Sequence, residues 1–144
     1  MGRGMRTRGP VRATAVAEAA TRAGASVIDV GRASTDGLWF ASGHLGLPGV
    51  QFTASHNPAQ YNGAKFCRVA AQPVDAEFLI ELKTLAMQYD AEGLPDPVAT
   101  PGTITEQDVL GEYGSYLRSL VNLDGIRRLK VVVDAGNGMA GHTV

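Results

Sequence analysis

The chain has 144 residues, which is about the length of one domain, and its composition of 44% hydrophobic and 19% charged residues is that of an ordinary globular protein. The formal net charge of −1 gives no support for a nucleic-acid partner. The single cysteine, Cys67, excludes an intramolecular disulfide, and no stretch has the apolar length of a membrane span. Because the start has no apolar signal region, a cytoplasmic location is expected.

The first part of the sequence predicts helices that alternate with strands. Pro10 suits a first helical position and Gly24 a stop, and alanines recur between them at helical spacing. The predicted order is a loop over 2–9, a helix over 10–24, a strand over 26–30, a helix that is capped by Ser34 or Thr35 and ends near Gly43, and a strand over 50–53.

The second part predicts two more strands and two more helices. Residues 64–69 alternate as in a strand, where Cys67 is expected to be a small buried hydrophobe. The segments that follow are a helix capped by Asp75, a linker over 90–102, a helix after a capping-box pattern at 105–108, a break over 122–128 and a continuous apolar run at 130–134 that suits a buried parallel strand. The predicted fold class is α/β. It comprises a three-layer α/β/α domain with a mixed sheet over residues 1–125 and, within 126–144, the first strand of a second similar domain.

A cluster of polar residues follows the strand predicted over 50–53. Thr53-Ala54-Ser55-His56-Asn57-Pro58 comes directly after this strand, and Tyr61-Asn62-Gly63-Ala64-Lys65 follows. Asn57-Pro58 starts a turn and Asn62-Gly63 closes one, so Lys65 is expected to return near Ser55. A hydroxyl, an imidazole, an amide and an ammonium group would then meet at the carboxyl end of a strand, where ligands bind in open α/β sheets.

Ser55 is the residue of this cluster that suits covalent chemistry, and the residues alone leave more than one interpretation open. A hydrolase nucleophile is disfavoured, because His56 points away from its neighbour on an extended chain and the Gly-x-Ser-x-Gly pattern is absent. A phosphoserine, with a charge of about −1.5 to −2, would find cations in Lys65 and His56. An ordinary turn at the end of a strand is the third interpretation.

The serine motif resembles the active-site loop of the α-D-phosphohexomutases, the family of phosphomannomutase and phosphoglucomutase. Gly2-Arg3-Gly4-Met5-Arg6 is similar to the Gly-Arg-Asp-x-Arg segment of this family, and residues 130–141 look like the start of its second domain. The resemblance implies an enzyme that interconverts hexose 1-phosphate and hexose 6-phosphate. The reaction would pass through a phosphoserine and a bisphosphate intermediate.

The resemblance also implies roles for individual residues. Ser55 would be the phosphoserine, and its phosphate would be one ligand of Mg²⁺. His56 and Asn57 would line the phosphoserine site, with His56 counted among the catalytic residues. Lys65 would be the general acid/base or would steady the transferring phosphoryl group. Arg6 would reach this site from the first loop and bind phosphate or substrate.

Several features depart from the family pattern. Gly4 stands where the family has Asp, and Arg8 stands where it has Ser. The Asp-Gly-Asp-Gly-Asp-Arg metal loop, with the remaining Mg²⁺ ligands, is absent, and so is the N-terminal segment that supplies the first strand. We therefore expect an incomplete fragment that is inactive alone. The alternative function is a catalytically inactive α/β fragment that only binds phosphate or nucleotide.

Residues 136–141 match the Gly-x-Gly-x-x-Gly fingerprint that cradles a pyrophosphate in dinucleotide-binding domains. The fingerprint needs a helix after it and an acidic residue about 20 positions further on, and the sequence has neither. A glycine-rich turn between a strand and a helix is the favoured interpretation.

Overall fold

Strands and helices alternate along most of the chain in the computed structural model, which describes residues 1–144. The strands are β1 (Gly2–Arg3), β2 (Val27–Asp29), β3 (Gly49–Phe52), β4 (Ala64–Cys67) and β5 (Ile104–Glu106). The helices are α1 (Gly9–Arg22), α2 (Thr35–Leu45), α3 (Ala76–Glu92), α4 (Leu110–Ser119) and α5 (Ala140–Thr143), with a 3₁₀ turn at Val69–Ala71. The predicted α/β class is confirmed.

The strands form a mixed three-stranded sheet in the order β1-β3-β4 and a parallel two-stranded sheet of β2 and β5, and an isolated bridge between Arg3 and Arg32 joins the two. β1 pairs in parallel with β3, with Gly2 opposite Gln51 and Arg3 opposite Phe52, and β3 pairs antiparallel with β4. On its other side, the amide of Arg3 donates a hydrogen bond of 3.0 Å to the carbonyl of Gly31, just after β2. β2 in turn pairs in parallel with β5. The carboxyl ends of β1, β2 and β3 therefore lie at one edge.

Helices cover both faces of β1, which makes the domain three-layered. Successive residues of a strand point to opposite faces. A Cβ atom at Gly2 would lie 3.3 Å from Leu38 of α2, whereas the Cβ of Arg3 lies on the side of α1. α1 contributes buried Ala13 and Ala17, whose small side chains let the helix approach the sheet closely.

α4 packs against α2 through aromatic side chains. The ring centroid of Phe40 lies 5.4 Å from that of Tyr113 and 5.3 Å from that of Tyr116, both in tilted arrangements. Phe40 also packs against a buried cluster of Val30, Ala33, Leu38, Ala41 and Val109. The cluster fixes the position of the β2–α2 connection, which leads to the candidate site.

Three segments differ from the sequence-based prediction. Gly2–Arg3, expected in a loop, forms the short strand β1. Ile104–Glu106, which includes the first half of the expected capping box, forms β5, and the carboxylate of Asp108 instead accepts a hydrogen bond of 2.9 Å from the amide of Leu110. Residues 130–134 form no strand. The first strand of a second domain is therefore not formed, because this run has no partner strand to complete its backbone hydrogen bonds. The domain boundary at residue 125 stays a prediction.

The helix predicted after Asp75 forms as α3, with the Asp75 carboxylate accepting a hydrogen bond of 2.8 Å from the amide of Phe78. No residue of α3 is buried, and Leu79 is 49% exposed on its apolar stripe. Cys67 is buried at the end of β4, as predicted. None of the helices has the length and apolar character needed to cross a membrane.

Candidate active site

The candidate site is built on the loop that connects β3 to β4. The two strands are antiparallel, with Phe52 opposite Ala64 and Gln51 opposite Lys65. The amide of Thr53 donates a hydrogen bond of 3.0 Å to the carbonyl of Gly63, which extends the pairing beyond the strands. Residues 54–62 therefore project as a closed loop from the carboxyl end of β3.

Ser55 lies in this loop with an uncommon backbone conformation. Its φ of 50° is in the left-handed region, although it is not a glycine. Ala54 is buried and Ser55 is exposed, so the chain turns outward between them. The backbone amide and the side-chain amide of Asn57 each donate a hydrogen bond of 3.0 Å to the carbonyl of Ala54. A non-glycine residue is uncommon in this region, and Ala70 and Ala71 are the other examples in the chain.

Arg6 contacts the same loop from the connection between β1 and α1. Its Nη1 donates to the carbonyl of Pro58 at 2.7 Å, and its Nη2 donates to the carbonyls of Ser55 and Asn57 at 3.0 Å and 2.5 Å. The sequence resemblance implies that this guanidinium binds a phosphate or substrate. In this structure its hydrogen bonds go to backbone carbonyls of the serine loop.

A cavity of about 720 Å³ opens beside Ser55, and most of its lining residues are polar residues or glycines. Its lining comes from the ends of β1, β2 and β3 and from a turn near the end of the chain. The residues concerned are Gly4 to Thr7, Ala33 to Thr35, Gln51, Thr53, Ser55, Ala59 and Asn137 to Met139. This is the edge at which ligands bind in open α/β sheets.

The structure brings together some of the predicted site residues and not others. Ser55 and Arg6 both line the cavity. His56, Asn57 and Lys65 are exposed and do not line it. Lys65 lies on β4, opposite Gln51 of β3. Gln51 precedes Ser55 by four residues in the sequence. The side chain of Lys65 takes part in neither of the two ion pairs of the structure.

Sequence reasoning missed several residues of the cavity, including Ser34, Thr35, Thr53 and Asn137. The sequence predicts Ser34 as a candidate helix cap, a role it performs by accepting a hydrogen bond of 2.9 Å from the amide of Gly37. The available signal was topological, because loops that follow neighbouring parallel strands meet at one edge of a sheet. The turn over 136–139 leads into the one-turn helix α5, so a helix does follow the glycine-rich run, contrary to the expectation, while no strand precedes it.

The side chains of this chain do not by themselves form a magnesium site. No group of three or more His, Cys, Asp or Glu side chains lies close enough together to hold a metal ion. Mg²⁺ requires an octahedral set of oxygen ligands, usually with one or two carboxylates. The cavity beside Ser55 is lined by hydroxyl and amide side chains, by Arg6 and by small or apolar residues, and by no carboxylate.

Two groups have clearly shifted pKa values, and neither lines the serine cavity. Burial lowers the pKa of the Met1 amino group, against the opposing effect of the nearby Asp29 carboxylate. The hydrogen bond from the Phe78 amide, followed by that from Arg68, lowers the pKa of Asp75 at the start of α3. The site is therefore recognised by its backbone geometry and polar lining.

The fold and the site together define an α/β/α domain that presents an exposed serine at the carboxyl edge of its sheet. Comparison with known proteins gives this domain its family. Residues 1–92 match the family described as phosphoglucomutase/phosphomannomutase, alpha/beta/alpha domain I. The chain belongs to the phosphoglucomutase/phosphomannomutase family.

Individual relatives agree with this assignment. A phosphomannomutase of Escherichia coli is 40% identical over 133 residues, which cover 90% of this chain and 29% of that protein. A protein of Xanthomonas campestris with the name "Phosphohexose mutases" is 32% identical over 142 residues, which cover 98% of this chain and 31% of that protein. A crystal structure of a family member from Burkholderia thailandensis superposes with a TM-score of 0.80 at 28% identity, over 99% of this chain and 31% of that one. The chain thus spans less than a third of the length of these relatives.

Proposed function

We propose that this chain supplies the phosphoserine domain of a phosphohexomutase, which interconverts hexose 1-phosphate and hexose 6-phosphate. The observation that carries the proposal is the position of Ser55. It lies exposed in a left-handed turn, at the carboxyl end of β3, on a polar cavity that Arg6 also lines. The family membership of the chain supports the same reaction class.

In the proposed reaction, the phosphoryl group leaves Ser55 and is accepted by a hydroxyl of the sugar phosphate. The bond between phosphorus and the serine oxygen breaks, and a bond to the sugar oxygen forms. The sugar hydroxyl loses its proton to a base, for which Lys65 is the candidate. In a second transfer, the serine oxygen accepts the other phosphoryl group of the bisphosphate, which restores the phosphoserine. The bond from that phosphorus to the sugar oxygen breaks, and the sugar oxygen takes up the proton that the serine hydroxyl loses. Positioning and charge stabilisation do most of the work in such transfers.

The remaining roles are assigned to the neighbours of Ser55. His56 and Asn57 follow Ser55 in sequence and would line the phosphoserine site, and Asn57 shapes the turn through its two hydrogen bonds to Ala54. Arg6 keeps two N–H groups beyond its three carbonyl bonds, because a guanidinium has five. These two are available to a phosphate or substrate.

The substrate, cofactor and location follow from the same proposal. The substrate is a phosphorylated mannose or glucose, and the reaction takes place in the cytoplasm. Mg²⁺ would be the metal of the complete site, where it would neutralise charge on the phosphate. Phosphorylated Ser55 would supply one oxygen ligand, and the side chains present supply no carboxylate cluster for the others.

Phosphorylation of Ser55 tests the proposal directly. The chain is incubated with glucose 1,6-bisphosphate and Mg²⁺ and analysed by intact-protein mass spectrometry with phosphopeptide mapping. We expect one added phosphate on Ser55, which Ser55→Ala abolishes. Ser119→Ala is the matched control, because Ser119 is an exposed serine on α4, away from the cavity. No phosphate on a chain shown to be folded by circular dichroism contradicts the proposal for this chain.

A second candidate, phosphate binding without transfer, is favoured by the lack of a carboxylate cluster for the metal. It predicts that inorganic phosphate or the bisphosphate shifts the amide NMR signals of residues 53–63 while Ser55 stays unmodified. Turnover or a phosphoserine excludes this candidate.

A further inference from the structure

The guanidinium of Arg6 bridges two segments that are far apart in sequence. It bonds to the carbonyls of Ser55, Asn57 and Pro58, which are 49, 51 and 52 positions away. All three acceptors lie within four consecutive residues of one turn. A single side chain thus binds three of the four backbone carbonyl groups of residues 55–58.

The three hydrogen bonds use the two terminal nitrogens of a planar guanidinium. Both hydrogens of Nη2 and one of Nη1 are used, since Nη2 has two acceptors and Nη1 has one. A guanidinium presents its donors at fixed angles, whereas a lysine ammonium is a compact charge on a flexible stem. The charge of a lysine would remain near the turn, but it would not reproduce three bonds at these positions.

The other hydrogen bonds that hold the turn are local ones, between residues of the turn and its base. The amide of Ser55 donates to the hydroxyl of Thr53 at 3.2 Å, near the long end of hydrogen-bond distances. Within the turn itself, Asn57 bonds to Ala54 and the amide of Tyr61 bonds to Pro58 at 3.0 Å. A non-glycine residue keeps a φ of 50° only where the surrounding structure fixes it.

We infer that Arg6 is a positioning residue, which fixes the backbone of the serine turn and thereby aims the hydroxyl of Ser55 at the cavity. This role differs from contact with a phosphate and does not need one. Its consequence for phosphoryl transfer rests on the proposed function, but its effect on the turn is measurable without any reaction.

Amide exchange tests the effect on the turn. Arg6→Ala and Arg6→Lys are compared with the unmodified chain by NMR hydrogen exchange, with attention to the amides of Asn57 and Tyr61. We expect exchange at these amides to accelerate about tenfold or more in both variants, the effect of losing one bond from a charged donor. Exchange in α1 and α2 should stay unchanged. Arg8→Ala is the matched control, because Arg8 is exposed in the same loop and its side chain makes no capping hydrogen bond.

Phosphorylation of Ser55 separates positioning from charge. If Arg6 acts by positioning, Arg6→Lys and Arg6→Ala lose phosphorylation to a similar extent, about tenfold or more. Added guanidinium ion at millimolar concentration should partly restore the Arg6→Ala chain and leave Arg8→Ala unaffected. Full phosphorylation of Arg6→Lys together with unchanged exchange at Asn57 and Tyr61 overturns the inference, since it leaves charge alone as the contribution of Arg6. If the unmodified chain takes no phosphate, the proposed function fails, and the exchange rates still decide the role of Arg6.

Discussion

Gly102 shows at the scale of a single residue how a close backbone approach fixes the path of the chain. A Cβ atom at Gly102 would lie 2.1 Å from the carbonyl oxygen of Ala25 and 2.3 Å from its carbon, which is far inside contact distance. The amide of Gly102 donates a hydrogen bond of 2.9 Å to the carbonyl of Thr21. We therefore expect Gly102→Ala to lower the free energy of unfolding by about 3 kcal/mol, as overpacking at rigid backbone does, measured by urea denaturation.

Gly114 provides the matched control for this prediction. It lies in the interior of α4, and a Cβ there would meet only the flexible end of Arg118, at 3.7 Å. Gly114→Ala is expected to stabilise the chain by about 0.5–1 kcal/mol, since alanine is the better helix former. If both variants shift the urea midpoint by the same amount in the same direction, the contact with Ala25 does not constrain the fold.

Single residues were predictable from the sequence where their partners are local. Ser34 and Asp75 cap α2 and α3 as predicted, and each bonds to an amide three residues away. The left-handed conformation of Ser55 and its bond to Arg6 were not predicted. That bond joins residues 49 positions apart and depends on the fold as a whole.

At the scale of an element, the start of α3 depends on an ionised carboxylate. The hydrogen bond from the Phe78 amide and the contact with Arg68 lower the pKa of Asp75. Because the folded pKa lies below the unfolded one, the stabilisation is complete above the unfolded value of about 4 and is lost as the pH falls through the folded pKa. No buried residue of α3 compensates for this loss.

We therefore expect the first turn of α3 to unwind selectively in acid. The amide of Phe78 should lose its protection, followed by NMR between pH 6 and about pH 2. Asp75→Asn should show no such transition, because asparagine caps a helix without titrating, and Asp75→Ala should lack protection at every pH. The same acid transition in Asp75→Asn would rule out Asp75 as its cause.

Elements with a strong local pattern were predicted, including β2, β3 and β4, whereas β1 and β5 were not. α1, α2 and α3 follow from helical spacing and caps. Ile104–Glu106 has no strong strand pattern, and it becomes β5 because β2 offers it a parallel edge, with Val27 opposite Ile104. Residues 130–134 show the converse, since the most strand-like pattern in the chain forms no strand without a partner. Strand formation is decided by pairing, which a local pattern does not contain.

At the scale of the whole molecule, the chain leaves much apolar surface in contact with water. Only 15 of its 144 residues are buried, so its core is small for its length. The run Val131, Val132 and Val133 is 70%, 89% and 51% exposed and carries no charge between Lys130 and Asp134. Uncharged β-branched runs with free backbone groups pair with other chains, so this segment is the expected site of self-association.

Val132→Lys tests this expectation, because it places a charge at the most exposed position of the run. Burying one valine contributes about 1.5–3 kcal/mol, and about 1.4 kcal/mol corresponds to a tenfold change in an equilibrium constant. We expect the concentration at which the chain associates, measured by sedimentation velocity, to rise about tenfold or more. Ala91→Lys adds the same charge at an exposed position of α3 and should change it little. A charge at the centre of a paired segment should weaken association more than a charge elsewhere. An equal rise of the association concentration in both variants would therefore assign the effect to net charge and exclude residues 131–133 from the contact.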